Sequence, residues 1–173
     1  MVSLVLTVIG DDRPGLVSAV SGPVEACGGS WQRSQLALLA GKFAGIVSVE
    51  VPAEQVAALE SALTGLADQG LTVTVAPAVE EHAPAEGGTT WRMALVGQDR
   101  PGIVAEVSTA LAARRVGIED LDTDVSEAPM AGGLLFHASA TLVAPDGADL
   151  AGLRADLERL ADELMVDLDL SEE

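Results

Sequence analysis

The sequence predicts an α+β protein that consists of two consecutive units, each with the element order βαββαβ. An eleven-residue segment occurs twice, as GDDRPGLVSAV at residues 10–20 and as GQDRPGIVAEV at residues 97–107, with seven identical positions and no gap. Self-similarity at a fixed offset indicates an internal repeat. The offset of 87 residues divides the 173-residue chain into halves that are each large enough to fold as a small domain.

In the first unit, the hydrophobic pattern changes from that of a strand to that of a helix at the duplicated segment. An apolar run ends at Gly10, and apolar residues at helical spacing begin at Leu16. The segment LAGKF supplies a glycine for a hairpin turn, and Pro52 ends the alternating strand that follows. The predicted elements are a strand over 2–9, a helix from Leu16 to the glycines of CGG, strands over 32–39 and 42–51, a helix over 53–68, and a strand over LTVTV.

The second unit repeats this order. Its elements are a strand over WRMALVG, a helix from Ile103, strands over 119–126 and 134–143, a leucine-striped helix from Leu150 to Leu164, and a strand over VDLDL. Between the units, APAVEEHAPAEGG contains prolines, glycines and acidic residues without periodicity, which is typical of a solvated linker. We therefore predict a first domain over 1–76, a linker over 77–89 and a second domain over 90–173.

With right-handed crossovers, a βαββαβ chain forms a four-stranded antiparallel sheet with both helices on one face, the ferredoxin-like arrangement. The other face of the sheet is then free for water or a partner. In the first strand, residues of both faces are apolar, since Val5 and Ile9 alternate with Leu4, Leu6 and Val8. We expect the free faces to be partly buried by the other unit or by a second chain, and we predict a homodimer.

Composition excludes several classes of partner. Nine basic against 27 acidic residues give a net charge of −18, which opposes direct binding to nucleic acid or to anionic membranes. The apolar start MVSLVLTVIG is too short to span a bilayer. A single cysteine, Cys27, cannot form an internal disulfide, which fits the cytoplasm. The prediction is a cytoplasmic protein without nucleic acid or membrane as direct partner.

The duplicated turn has two interpretations. In the structural one, Asp12 and Asp99 cap the following helices, while Pro14 and Pro101 occupy their first turns, where proline is favoured. In the functional one, the backbone amides at the helix start bind an anion. A zwitterion would fit, because its carboxylate could bind the backbone amides or the arginines of the turns and its ammonium group could bind the aspartates. Four glycines leave room for a ligand or another backbone, namely Gly10, Gly15, Gly97 and Gly102.

The strand, the DRPG turn, the helix and the βαββαβ order resemble ACT domains, small modules that bind amino acids and regulate metabolic enzymes or transcription. Two such modules without an enzyme attached resemble the glycine cleavage system transcriptional repressor family, and CGGSWQRSQLALLAG lies where that family has a cysteine, a glycine and an asparagine followed by an apolar residue. Serine-binding members have an asparagine where this chain has Ser30 and Gly117, and a His-x-Asn pair where it has GDD and GQD. The resemblance therefore implies amino-acid sensing or a derived protein-binding role, without serine specificity.

The candidate ligand-binding residues come from both turns and from the end of the first helix. They are Gly10, Asp11, Asp12, Arg13, Pro14, Gly15 and Ser30 in the first unit, and Gly97, Gln98, Asp99, Arg100, Pro101 and Gly102 in the second.

Enzymes and RNA-binding proteins are not favoured by the sequence. His82 lies in the predicted linker, His137 lies on a strand, and there is no CxxC, HExxH or Walker-type loop, so we expect no catalytic residues, no metal and no cofactor. RNA-recognition modules share the element order but need sheet-face aromatics and a basic surface. The chain is predicted to be a non-catalytic regulatory module that binds a small ligand, such as an amino acid, at ACT-domain interfaces and regulates a partner protein in amino-acid metabolism or its transcription. The alternative is a pure protein–protein interaction module without a small-molecule ligand.

Overall fold

The structure is a computed structural model that describes residues 1–79, 88–128 and 132–172. The chain divides into two compact units, Met1–Glu81 and His82–Glu173. Residues 80–87, which belong to the predicted linker and include His82, lie outside the described residues. Each unit is described by itself below.

The first unit has the predicted order of elements. They are β1 (Val2–Asp11), α1 (Leu16–Ala26), β2 (Ser30–Leu39), β3 (Lys42–Val51), α2 (Val56–Thr64) and β4 (Leu71–Pro77). The helix predicted over 53–68 is α-helical only at its centre, because Ala53–Gln55 and Gly65–Gln69 are 3-10 helices. Tightening of this kind is common at helix ends.

The second unit repeats the order with slightly longer strands. Its elements are β5 (Thr89–Gln98), α3 (Ile103–Ala113), β6 (Gly117–Glu127), β7 (Leu134–Ala144), α4 (Leu150–Leu164) and β8 (Val166–Glu172). The helix α4 matches the predicted leucine stripe at both ends.

Each unit forms one four-stranded sheet in which all neighbouring strands are antiparallel. The strand orders are β2-β3-β1-β4 and β6-β7-β5-β8, so the strand that precedes the duplicated turn is central in both sheets. This is the arrangement predicted for two ferredoxin-like units, and the α+β fold class is confirmed.

The core of each unit lies between the helices and one face of its sheet. In β1, Leu4, Leu6 and Val8 are buried and pack with Leu16 and Val20 of α1. The second unit has a separate core, in which the central strand and the helices contribute Met93, Leu95, Ile103, Val107, Leu153 and Leu157. Because side chains alternate along a strand, the intervening residues of each strand lie on the opposite face, which we call the open face.

The open face of β1 is less buried than the apolar sequence predicted. Val5 is partly buried, but Ile9 is 47% exposed. The predicted covering of this face by a second chain remains a prediction.

Gly45 provides a test of how tightly β2 and β3 are packed. A Cβ atom at Gly45 would overlap the carbonyl oxygen of Gln35 and approach the Cα atom of Leu36 to 2.7 Å, so backbone atoms leave it no space. We expect Gly45→Ala to lower the free energy of unfolding by about 1–3 kcal/mol, the usual cost of overpacking. Urea denaturation followed by circular dichroism measures the change.

The matched control is Gly65→Ala. Gly65 has φ −63° and ψ −17°, and no atom lies within 4 Å of its added Cβ. Alanine accepts this conformation, so the control should be neutral or gain about 0.4–1 kcal/mol. If Gly45→Ala and Gly65→Ala had the same free energy of unfolding, β2 would not pack closely against Gly45.

Candidate functional site

The duplicated turn connects the central strand of each sheet to the first helix. The residue that immediately precedes the helix is Gly15 in the first unit, with φ 92° and ψ 3°, and Gly102 in the second, with φ 102° and ψ −13°. Proline followed by a glycine of this left-handed conformation is typical of a type II turn. A side chain at either glycine would be strained, so both glycines are explained by the backbone.

The prediction that Asp12 and Asp99 cap the helices is wrong. The N-cap positions are Gly15 and Gly102, and among the described residues neither helix start has a side-chain cap. The physical reason is that the Pro-Gly turn is completed before the helix begins. Pro14 likewise lies ahead of the N-cap and outside the first helical turn, as does Pro101.

The uncapped helix starts leave backbone donors available. The first helical hydrogen bond runs from the amide of Ala19 to the carbonyl of Gly15 at 2.9 Å, and its counterpart runs from Glu106 to Gly102 at 2.9 Å. The amides of the three residues between each pair have no carbonyl within the helix to bind. Each turn therefore presents a row of free amides where the helix dipole favours an anion.

Backbone hydrogen bonds attach each turn to the neighbouring strands. The amide of Asp12 donates to the carbonyl of Gly41 at 3.0 Å, and the amide of Asp99 donates to the carbonyl of Leu134 at 2.8 Å. Gly41 immediately precedes β3, and Leu134 is the first residue of β7, so both acceptors lie where the strand next to the central one begins. The aspartate side chains thus extend from a fixed backbone.

The two arginines of the turns differ in their surroundings. Arg13 Nη2 donates to the carbonyl of Gln69 at 2.9 Å, so part of this guanidinium is already bound within its unit. Arg100 Nε is buried and has no hydrogen-bond partner in the described part of the chain. Because a buried donor without an acceptor costs free energy, Arg100 is the better placed of the two to accept a new anionic partner.

Asp11 forms an ion pair with Lys42, its direct neighbour across β1 and β3. The hydrogen bond and the charge of Lys42 lower the pKa of Asp11 below its ordinary value. Both side chains are well exposed, so the pair stabilises the fold little. In the second unit, Gln98 lies at the end of β5, is exposed, and carries no charge.

Gly10 and Gly97 are explained by strand packing. A Cβ atom at Gly10 would lie 2.8 Å from the carbonyl oxygen of Gly70, and one at Gly97 would overlap the side chain of Val166. Close approach of the neighbouring strand, through the backbone at Gly10 and mainly through a side chain at Gly97, therefore accounts for both glycines.

Ser30 does not lie near the turn of its own unit. It begins β2 and pairs with Glu50, which in turn pairs with Ser3 at the start of β1. The turn follows the other end of β1, roughly 26 Å away at about 3.3 Å per residue. Within one unit, Ser30 and the turn therefore lie at opposite ends of the sheet, and the role of Ser30 in binding a ligand stays a prediction.

An apolar pocket beside the second turn was missed by the sequence reasoning. It lies between α3 and the sheet, and its lining includes Ile103, Val104, Ile118, Leu121, Phe136 and Ala138. The corresponding place in the first unit contains Trp31 and Gly45, as the strand registers show. The sequence signal for this pocket is that the second unit has Ile118 at the position where the first unit has the larger Trp31.

Two further side chains of reactive types, His137 and Cys27, lie outside the turns in the described part of the chain. His137 Nε2 lies 3.0 Å from Ser126 Oγ on the sheet of the second unit. Cys27 is partly buried at the end of α1 and packs against the core. Among the described residues, no group of three or more His, Cys, Asp or Glu side chains could hold a metal ion.

The sequence of each unit matches the same family model. The family model of the ACT domain matches residues 3–76 and 93–171, one match for each unit. The chain belongs to the ACT domain family. The resemblance that the DRPG turns suggested is thereby confirmed over most of the chain.

Relatives of this tandem ACT-domain chain match it along nearly its whole length. The glycine cleavage system transcriptional repressors of Escherichia coli (strain K12) and Shigella flexneri are each 25% identical to it over 162 residues, which cover 93% of this chain and 85% of theirs. The similarity to that family, expected from the sequence, is confirmed.

Two solved structures have the same fold. The structure of an unknown protein from Galdieria sulphuraria has a TM-score of 0.87 at 30% identity and covers 99% of this chain and 98% of its own. A structure assigned to the glycine cleavage system transcriptional repressors has a TM-score of 0.74 at 21% identity, and it covers 99% of this chain and 97% of its own.

In the described parts of this ACT-domain chain, no helix is both long enough and apolar enough to span a membrane.

Removing Lys42 tests the electrostatics beside the first turn. We expect Lys42→Gln to raise the pKa of Asp11 toward its ordinary value of 3.8, because the ion pair is what lowers it. A lowered carboxyl pKa stabilises the fold above the unfolded-state pKa, and this contribution is lost as the pH falls through the folded-state value. The stability difference between wild type and variant should therefore be present at neutral pH and be lost progressively as the pH falls below the ordinary value of 3.8.

Carboxyl-detected NMR titration measures the pKa, with Lys42→Arg as the control that keeps the charge. An unchanged Asp11 pKa in the glutamine variant would contradict the ion pair.

Proposed function

We propose that this chain is a non-catalytic regulatory protein that binds an amino acid at its DRPG turns and thereby controls a partner protein in amino-acid metabolism or its transcription. The observation that carries the proposal is the pair of uncapped helix starts, each reached through a left-handed glycine. The names of the curated relatives, transcriptional repressors, support the regulatory part.

The chemistry of the turn suits a zwitterion. The free amides of the first helical turn would bind the carboxylate, since backbone donors at a helix start favour anions. Asp12 and Asp99 would bind the ammonium group, because neither carboxylate is used as a helix cap. In the second unit, Arg100 and the apolar pocket that begins at Ile103 add an anion partner and space for a small apolar side chain.

We further propose that the protein acts through protein contacts in the cytoplasm. The net charge of −18 repels nucleic acid, so a role in transcription would operate through a protein that binds DNA. No residue is assigned to catalysis in this scheme.

The alternative is an interaction module without a small ligand. It is favoured by Arg13, whose guanidinium is bound to Gln69, and by Gly10 and Gly97, which strand packing explains. On this view the turn is a structural element that duplication has repeated.

Ligand-dependent melting separates the two functions. We expect at least one of the twenty amino acids, at about 100 times its Kd, to raise the free energy of unfolding by about 2.7 kcal/mol, because only the folded state binds. Asp99→Asn and Arg100→Gln should reduce the shift. Since Asp99 is no cap, its substitution should change stability without ligand by no more than about 0.5 kcal/mol.

The control is Asp162→Asn, which removes the same charge from an exposed position on α4. It should keep the full ligand shift. Absence of a shift with all twenty amino acids would leave the interaction module as the function.

We propose a homodimer that uses the exposed apolar side chains of α3 and β6. Val104, Ile118, Leu121 and Val125 are 39–45% exposed on the helix side of the second sheet. Contiguous apolar surface of this kind is typical of a protein interface.

Charge substitutions test this interface. Sedimentation equilibrium of the wild type should give twice the monomer mass of 17.6 kDa. Leu121→Lys combined with Val125→Lys should give the monomer, because burying a lysine at an interface is unfavourable. The control, Val96→Lys on the open face, should remain dimeric, and a monomeric wild type would refute the proposal.

A further inference from the structure

The apolar pocket of the second unit has a wall without polar groups. It lies between α3 and the sheet, and its volume is about 20 Å³. Among the described residues, Ser108 is the only polar residue in its lining, and Ser108 Oγ donates a hydrogen bond to the carbonyl of Ala105 at 3.2 Å. The hydroxyl is thus used within the helix, so an occupant of the pocket would meet apolar atoms alone.

The pocket opens to solvent beside the edge strand β6. Its mouth is formed by Val104, Ile118 and Leu121, which are 39–45% exposed. Its floor is formed by buried residues, among them Leu95 and Ile103. A small apolar group can therefore enter the pocket without displacing the core.

The first unit shows that the fold does not need this pocket. The strand registers place Trp31 at the position of Ile118, and Trp31 packs against the core of its own unit. An unfilled apolar space costs stability, because the atoms that line it lose contacts that a filled core would make. An occupant of the pocket in the second unit would restore these contacts.

The wall and the volume of the pocket select the kind of occupant. Water needs two to four polar partners, so an apolar cavity stays dry. An aromatic ring needs far more space, since an apolar cavity of about 150 Å³ is the kind that holds benzene. A space of about 20 Å³ suits the methyl groups at the end of a short aliphatic chain.

Such a chain can belong to an amino acid that binds at the second turn. The amides of Ile103 and Val104 are two of the three that have no acceptor within α3, and the side chains of the same two residues line the pocket. In an α-amino acid, a single carbon atom joins the carboxylate to the side chain. A ligand whose carboxylate binds the helix start can therefore direct its side chain toward the pocket.

We infer that the ligand of the second unit is an aliphatic amino acid of the valine, leucine and isoleucine class, and that its branched side chain occupies this pocket. The inference rests on the proposed function, since it names the class of amino acid that the turn binds. Glycine would leave the pocket empty. Threonine, which has the shape of valine, would bury a hydroxyl without a partner, and that is unfavourable.

The pocket also connects the ligand with the proposed homodimer. Val104, Ile118 and Leu121 belong both to the mouth of the pocket and to the proposed dimer surface. A second copy of the chain would therefore cover an occupied pocket, and ligand binding would favour the dimer by mass action.

The test is a series of ligands that differ in the side chain, namely glycine, alanine, valine, leucine, threonine and phenylalanine. Isothermal titration calorimetry with the whole chain gives the dissociation constants. Melting temperatures are compared at one protein concentration, because the melting of an associating protein depends on concentration.

We expect the affinity to rise about fourfold for each methylene that enters the pocket, from glycine through alanine to valine. Threonine should bind about a hundredfold more weakly than valine, which is the discrimination that an apolar pocket reaches against an isostere with a hydroxyl. Phenylalanine should bind more weakly than valine, because its ring exceeds the space.

Two variants change the pocket in different ways. Ile118→Trp introduces the residue of the first unit and should fill the pocket, so valine should bind about tenfold more weakly while glycine is unaffected. Ala138→Ser adds a hydroxyl to the wall, so the preference for valine over threonine should fall about tenfold. The control, Ile46→Trp, makes the same exchange at a 49% exposed position in the first unit and should leave all affinities unchanged.

Equal affinities for glycine, threonine and valine would overturn the inference while the turn remained an amino-acid site. A preference for valine that is unchanged in both pocket variants, or tighter binding of phenylalanine than of valine, would do the same. Absence of binding by all twenty amino acids would refute the proposed function and this inference together.

Discussion

Both units depend on the left-handed backbone of one glycine each. Gly15 and Gly102 reverse the chain between the central strand and the first helix, at φ 92° and φ 102°. The next residues, Leu16 and Ile103, are buried, so the turn delivers each helix directly onto its core. Any side chain at these glycines would cost about 1–2 kcal/mol of strain. The same conformation ends the turn before the helix begins, which leaves the helix start uncapped. One backbone constraint therefore forms both the core and the candidate site.

The repeat preserves this scaffold while the side chains around it have changed. Trp31 fills the first unit where Ile118 leaves a pocket in the second. Arg13 is bound to a backbone carbonyl, whereas Arg100 keeps a buried donor without a described partner. Each difference changes the surface and leaves the strand order intact. The turns themselves are nearly identical, since within the GDDRPG motif the second differs from the first only at Gln98.

The strand order and the cores could be predicted because alternation and helical spacing are local signals. The residue at which each first helix starts could not be predicted, because proline is favoured both in the first helical turn and at the second position of a type II turn. Gly15 decided between these, and its conformation is visible only in the backbone. The partner of Arg13 is the carbonyl of Gln69, 56 residues away, and a backbone acceptor carries no sequence signal. Ser30 and the turn lie at opposite ends of one sheet, and a resemblance between sequences does not give this distance.

The turn and the open face of the second unit share a direct physical connection. Gly97, which leads into the turn, packs so closely against Val166 that a Cβ atom would overlap it. Val166 is followed by Asp167 on the open face, and Gly97 itself is preceded by Val96 on the same face. Close-packed contacts of this kind transmit small displacements because they leave no free volume. A displacement of the turn would thus be passed to the central strand and, through Val166, to the edge strand beside it.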